Sequence, residues 1–137
     1  MANRLYQQFQ YTAERAPVTL YATLAVGASG AVSAVKGYGI LSITKEATAG
    51  QYTVVLSDKF TRALSVQAQI VHSAISAAQS VQVLETPAAL QADVVAGTGF
   101  KIQLVDAAGA AVNAESGAQV FIQVVVVNSS VDQGKGV

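Results

Sequence analysis

Residues 37–60, GYGILSITKEATAGQYTVVLSDKF, decide the fold class of this chain. Two runs of strand-forming residues, 39–45 and 51–57, flank the short connection EATAG at 46–50. Runs rich in Ile, Val, Thr and Tyr around a glycine-bearing connection predict a β-hairpin. Side chains alternate across a strand. Leu41 and Ile43 therefore share one face of the first run, and Ile40, Ser42 and Thr44 the other. In the return run Tyr52, Val54 and Leu56 oppose Thr53, Val55 and Ser57. Gly50 can supply the positive φ that such a connection often needs.

Outward from the hairpin, other segments repeat the period of two. In 18–26, VTLYATLAV, Val18, Leu20, Ala22, Leu24 and Val26 make one face. GASG at 27–30 is a turn, 31–36 a short strand, and Gly37 and Gly39 flex the chain into the hairpin. Residues 58–61 connect to 62–72, where Leu64, Val66, Ala68, Ile70 and His72 alternate with polar and smaller neighbours. Residues 73–80 read as a loop, 81–85 as a short strand stopped before Pro87, and 90–96 as a further strand. A turn at 97–99 leads into the strand 100–106, then an exposed loop of small and polar residues at 107–117. The last strand, 118–128, ends in four consecutive valines, Val124 to Val127. Alternation is lost there, which predicts a strand lying inside two layers or covered by a partner. About eight strands with turns roughly every ten residues predict an all-β fold, a jelly-roll-like β-sandwich. It occupies 17–128, after an arm or short helix at 1–16 and before a tail at 129–137.

The arm differs from the rest of the chain. Tyr6, Phe9 and Tyr11 cluster in it, and Leu5, Phe9, Ala13 and Ala16 fit one face of a short helix. The alternative is an extended arm whose aromatics grip a neighbouring surface, as interface anchors do. Pro17 marks its end.

The 137 residues suit one domain. Hydrophobic residues make up 52% and charged residues 12%, against about 25% charged in an average soluble domain. A folded chain of this mass exposes roughly 6,700 Å², so its charges lie about one per 400 Å². So thin a charge layer predicts that other chains cover much of the surface. Net charge is zero with no block of like charge, which gives nucleic acid and anionic membranes nothing to attract them. Cysteine is absent, which excludes disulfides and thiolate metal sites. The opening MANRLYQQFQ has no apolar signal-peptide core, and no apolar run is long enough for a membrane helix, so synthesis in the cytoplasm is expected.

Catalytic patterns are missing as well. The single histidine, His72, reads as structural, since one imidazole without cysteine makes a poor protein-only zinc site. No GxSxG elbow occurs. The eight carboxylates are scattered over predicted loops and strand ends, with no pair suited to glycoside hydrolysis. Gly97-Thr98-Gly99 lacks the rest of a phosphate loop. The expectation is a non-enzyme without catalytic residue, metal or cofactor.

Four segments carry a likeness: MANRLYQQFQY at the start, VTLYATLAVGASGA, KGYGILSITKEATAGQYTVVLSDKFTRALSV, and SGAQVFIQVVVVNSS near the end. Together they resemble small virion proteins of tailed bacteriophages, in particular the jelly-roll cement (capsid decoration) proteins of HK97-like shells. Residues 73–116 carry least of it. The resemblance implies a structural role on the outer surface of the virion. The partners would be the major capsid protein and further copies of the chain, as a homodimer first and a trimer second. It carries over no catalytic or metal residue. Arg4, Leu5, Tyr6, Phe9 and Tyr11 are the expected capsid contacts, and Val125 and Val127 the expected self-association surface. The alternative is a tail-fibre or receptor-binding module that recognises surface glycans, with Tyr38 and Tyr52 as candidate sugar contacts, core packing being the other reading of both.

Overall fold

The computed structural model describes residues 17–127. The strands are β1 (Pro17–Val26), β2 (Val32–Tyr38), β3 (Ile40–Lys45), β4 (Gln51–Leu56), β5 (Arg62–Val71), β6 (Ser80–Val83), β7 (Phe100–Val105) and β8 (Gln119–Val127). One helix, α1 (Pro87–Ala96), stands between β6 and β7. The strands form two four-stranded sheets, ordered β2-β1-β8-β5 and β3-β4-β7-β6. Every pairing between strands is antiparallel. The fold is the all-β sandwich that the alternation predicts.

Period-two burial builds the core between the sheets. Leu20, Ala22, Leu24 and Val26 of β1 meet Val120, Ile122, Val124 and Val126 of β8 on one inner face. Tyr52, Val54 and Leu56 of β4 with Phe100, Ile102 and Leu104 of β7 line the other. Each large aliphatic or aromatic side chain removed from water contributes about 1.5–3 kcal/mol. The central hairpin pairs Ile43 with Val54 and Lys45 with Tyr52, as expected. Gly50 sits at φ 68, and its N–H donates to Asn113 Oδ1 at 2.8 Å.

One residue, Gly39, carries the chain from the first sheet to the second. Its φ is 80, and a Cβ there would collide with the Leu20 side chain. Only glycine allows this bend against the core.

Two bulges alter the expected faces. The register shifts between Ile40 and Ser42, and Leu41 is 70% exposed, so it does not share the buried environment of Ile43. The register shifts again between Ala63 and Ser65, which leaves Leu64 exposed while Ala63 is buried. Past that bulge Val66, Ala68 and Ile70 pack against the core as alternation predicts. A bulge adds one residue and reverses the face of the residues beyond it, so parity alone does not carry across.

Residues 90–96, expected as a strand, belong to α1. Thr86 caps the helix by accepting from Ala89 N at 3.2 Å, and Pro87 lies in the first turn. The loop 107–117, expected to be exposed, is partly anchored. Ala111 bridges to Val105, Asn113 holds Gly50, and Ala114 is buried.

Candidate functional site

Sheet register places one row of side chains after another on the outer face of the first sheet. Tyr38, Tyr21, Gln123 and Gln67 form one row, and Lys36, Thr23, Phe121 and Gln69 the next. Tyr38 is 73% exposed, Tyr21 51% and Phe121 44%. The solvent face of an antiparallel sheet is usually polar, so three aromatics on one such face are unusual. The Tyr21 and Tyr38 rings meet edge to face, 5.7 Å between centroids and 68° between planes. A quadrupole-favoured contact of this kind fixes the Tyr21 ring from one side. Tyr21, Phe121, Thr19, Thr23 and the amides of Gln67, Gln69 and Gln123 border an open concavity of about 580 Å³. Its walls stand on β1, β8 and β5, so rigid sheet rather than loop positions them.

A second polar cluster ties the end of β5 to the loop before β8. Glu115 Oε1 accepts from Ser73 N at 2.8 Å and Ala74 N at 3.3 Å. His72 Nδ1 lies 3.2 Å from Glu115 Oε2. Ser73 Oγ donates to Ser116 O at 3.0 Å. Desolvation raises the Glu115 pKa, but hydrogen bonds from its own backbone, His72, Ala74 and Ser73 outweigh it and hold the carboxyl at about 2. Histidine and serine both engage the carboxylate here. A relay needs the imidazole between serine and acid, so the geometry is that of a clasp.

The expected contact residues fall in different places. Arg4, Leu5, Tyr6, Phe9 and Tyr11, like the rest of 1–16 and the tail 129–137, lie outside the described residues. Val125 is half-buried on the outer face, between Thr19 and Ser65 in register. Val127 is 2% exposed and offers a second chain no free surface. The valine run belongs to β8, which lies between β1 and β5, with Val124 and Val126 in the core. Tyr52 is wholly buried, and its hydroxyl donates to Gly30 O at 2.6 Å. Burial pushes the pKa of its phenol up. It is therefore a core residue and not a sugar contact, whereas Tyr38 is free to meet a ligand. Among the described residues no three His, Asp or Glu side chains come together as a metal site.

Nothing in the sequence groups Tyr21, Phe121, Gln67, Gln69 and Gln123. Each stands at an outward position of its own alternating run. Only strand order shows that the three runs are neighbours. No protein-family model, curated protein or solved structure matches the chain.

Proposed function

We propose that the chain is a structural virion protein that binds the outer surface of a tailed-phage capsid. There it ties neighbouring capsomers together against the pressure of packaged DNA. The observation that carries this reading is the large apolar side chain left uncovered on several separate elements. Ile75 in the β5–β6 loop is 105% exposed, Leu41 on β3 70%, Val71 at the end of β5 50% and Val95 on α1 49%. One such residue is ordinary on a monomer. Several, on a chain with so few charges, suit a body that touches more than one neighbour. The likeness of the four sequence segments to cement proteins supplies the identity of those neighbours.

The mechanism is avidity. A rigid sandwich, together with residues 1–16, joins two capsomers, and the second contact forms at high effective concentration. Modest patches then suffice. Arg4, Leu5, Tyr6, Phe9 and Tyr11 would contact the capsid, and Val125 the second copy of a dimer.

Co-sedimentation of the purified protein with emptied, expanded shells tests the proposal. The expected result is saturable binding at a fixed number of copies per shell and a raised shell melting temperature. Absence of binding to correctly expanded shells rejects it. The double variant Tyr6→Ala with Phe9→Ala should abolish binding or change oligomeric state. If both are unchanged, the arm is not the contact.

A further inference from the structure

We propose that the concavity on the outer face of the first sheet binds a neutral, pyranose-based oligosaccharide. The proposal does not depend on capsid binding. It rests on what borders the site and on what those groups lack.

The first observation is the disposition of the aromatics. Tyr21 pairs with Gln123 and Thr23 with Phe121, so Tyr21 and Phe121 are diagonal neighbours on adjacent strands. Diagonal neighbours stand about 7–8 Å apart, close enough for one short ligand to touch both. Both rings are about half exposed, and Tyr38 braces the first. The C–H face of a pyranose is apolar and flat, and packs on such a ring.

The second observation is the state of the glutamines. Elsewhere this protein uses the amide structurally: Gln51 Nε2 donates to Gln103 Oε1 at 2.7 Å. Gln91 engages both the N–H and the C=O of Ala63 at 2.9 Å. Gln67, Gln69 and Gln123 are exposed around the concavity, and among the described residues their side chains have no hydrogen-bond partner. Each amide offers two donors and an acceptor. A sugar hydroxyl is both donor and acceptor and answers either end.

The third observation is charge. Apart from the Tyr21 phenol, no titratable side chain among the described residues lines the concavity. Lys36 lies one strand beyond, at the edge of the sheet. An ionic ligand would find no counter-charge there, and a purely apolar one would strand the amides. At about 580 Å³ the concavity is within the roughly 300–1,000 Å³ of small-ligand sites. Rings for stacking, amides for hydroxyls and a neutral lining match a neutral oligosaccharide.

The test is a titration of the isotope-labelled full chain, followed by NMR, with cellohexaose, maltohexaose, chitohexaose and a galactan hexamer. Saturable shifts of the Gln67, Gln69 and Gln123 side-chain amides with at least one sugar are expected. Phe121→Ala should weaken that affinity about tenfold or more, and Gln123→Leu, which leaves both rings in place, should weaken it too. Leu41→Ala, on the other sheet, should leave it unchanged, and all three variants should retain the parent's amide spectrum elsewhere. No saturable shift with any of the four sugars up to about 10 mM overturns the proposal. So do sugar-induced shifts that both groove variants leave intact. Val125 stands in the next row of this face, so only shifts of the same amides with protein concentration alone that persist in Val125→Lys would assign the groove itself to a second copy and overturn it as well. Phe121→Ala should leave shell co-sedimentation unchanged, so the failure of either proposal is seen apart from the other.

Discussion

Glu115 gathers two backbone N–H groups and an imidazole from residues 72–74, more than forty positions earlier in the chain. Charge-assisted bonds of this kind favour the ionised carboxyl in the folded state. Its folded pKa of about 2 lies below the ordinary 4.5. Between those two values the unfolded chain holds a proton that the folded chain does not. The stability contributed by Glu115 is thus complete above pH 4.5 and is lost as pH falls toward 2. Glu115→Gln should flatten the acid limb of stability over that window and lower stability at pH 7. Urea midpoints measured from pH 2 to 7 for both chains check this; identical acid limbs would show that the clasp contributes nothing. The bonds Tyr52 and Asn113 make to distant backbone are neutral but span the sequence in the same way. None of these partners is near in sequence, so spacing gives no sign of them.

At the scale of the element, α1 shows how the sandwich closes an edge. β5 is the last strand of its sheet, and its edge backbone needs partners. Gln91 on α1 supplies them at the bulge: its amide donates to Ala63 O and accepts from Ala63 N, both at 2.9 Å. Val94 is buried beneath, and its carbonyl accepts from Phe60 N at 3.2 Å. Gln91→Ala removes both amide bonds beside a buried Ala63. We expect a loss of about 1–3 kcal/mol, read by equilibrium denaturation, with faster amide exchange at Ala63 than in the parent. The helix was hidden because Leu90, Val94 and Val95 suit a short strand as well as one turn of a helix. Thr86, Pro87 and Gly97 were the legible signs, an N-cap, a first-turn proline and a C-terminal glycine.

For the whole molecule, the proposed role requires a rigid body with separate surfaces. The sandwich has one sheet face with a neutral aromatic groove, and exposed aliphatics on β3, α1 and the β5–β6 loop as well as at the end of β5. If Val125 joins two copies, the purified chain should sediment as a dimer of the 14.0 kDa protomer. Val125→Lys should return it to the monomer with its melting temperature preserved. A monomeric parent at micromolar concentration would remove Val125 from the self-association surface. The proposed bridging of capsomers would then rest on the arm and the exposed aliphatics alone.

Alternation by itself determined the all-β class, the hairpin at 40–56, and the inward faces of β1 and β4. Burial follows parity wherever a strand runs unbroken, because successive side chains point to opposite faces. Composition likewise determined that the surface is poor in charge. Tertiary structure decided the rest. Bulges at Leu41 and Leu64 reversed parity locally. Strand order buried the valine run and brought Tyr21, Phe121 and three glutamines from separate runs to one concavity. Long-range hydrogen bonds gave the buried Tyr52 hydroxyl its partner and made Glu115 a clasp. A strand's own sequence records which way its side chains point, but only pairing across sheets records what they meet.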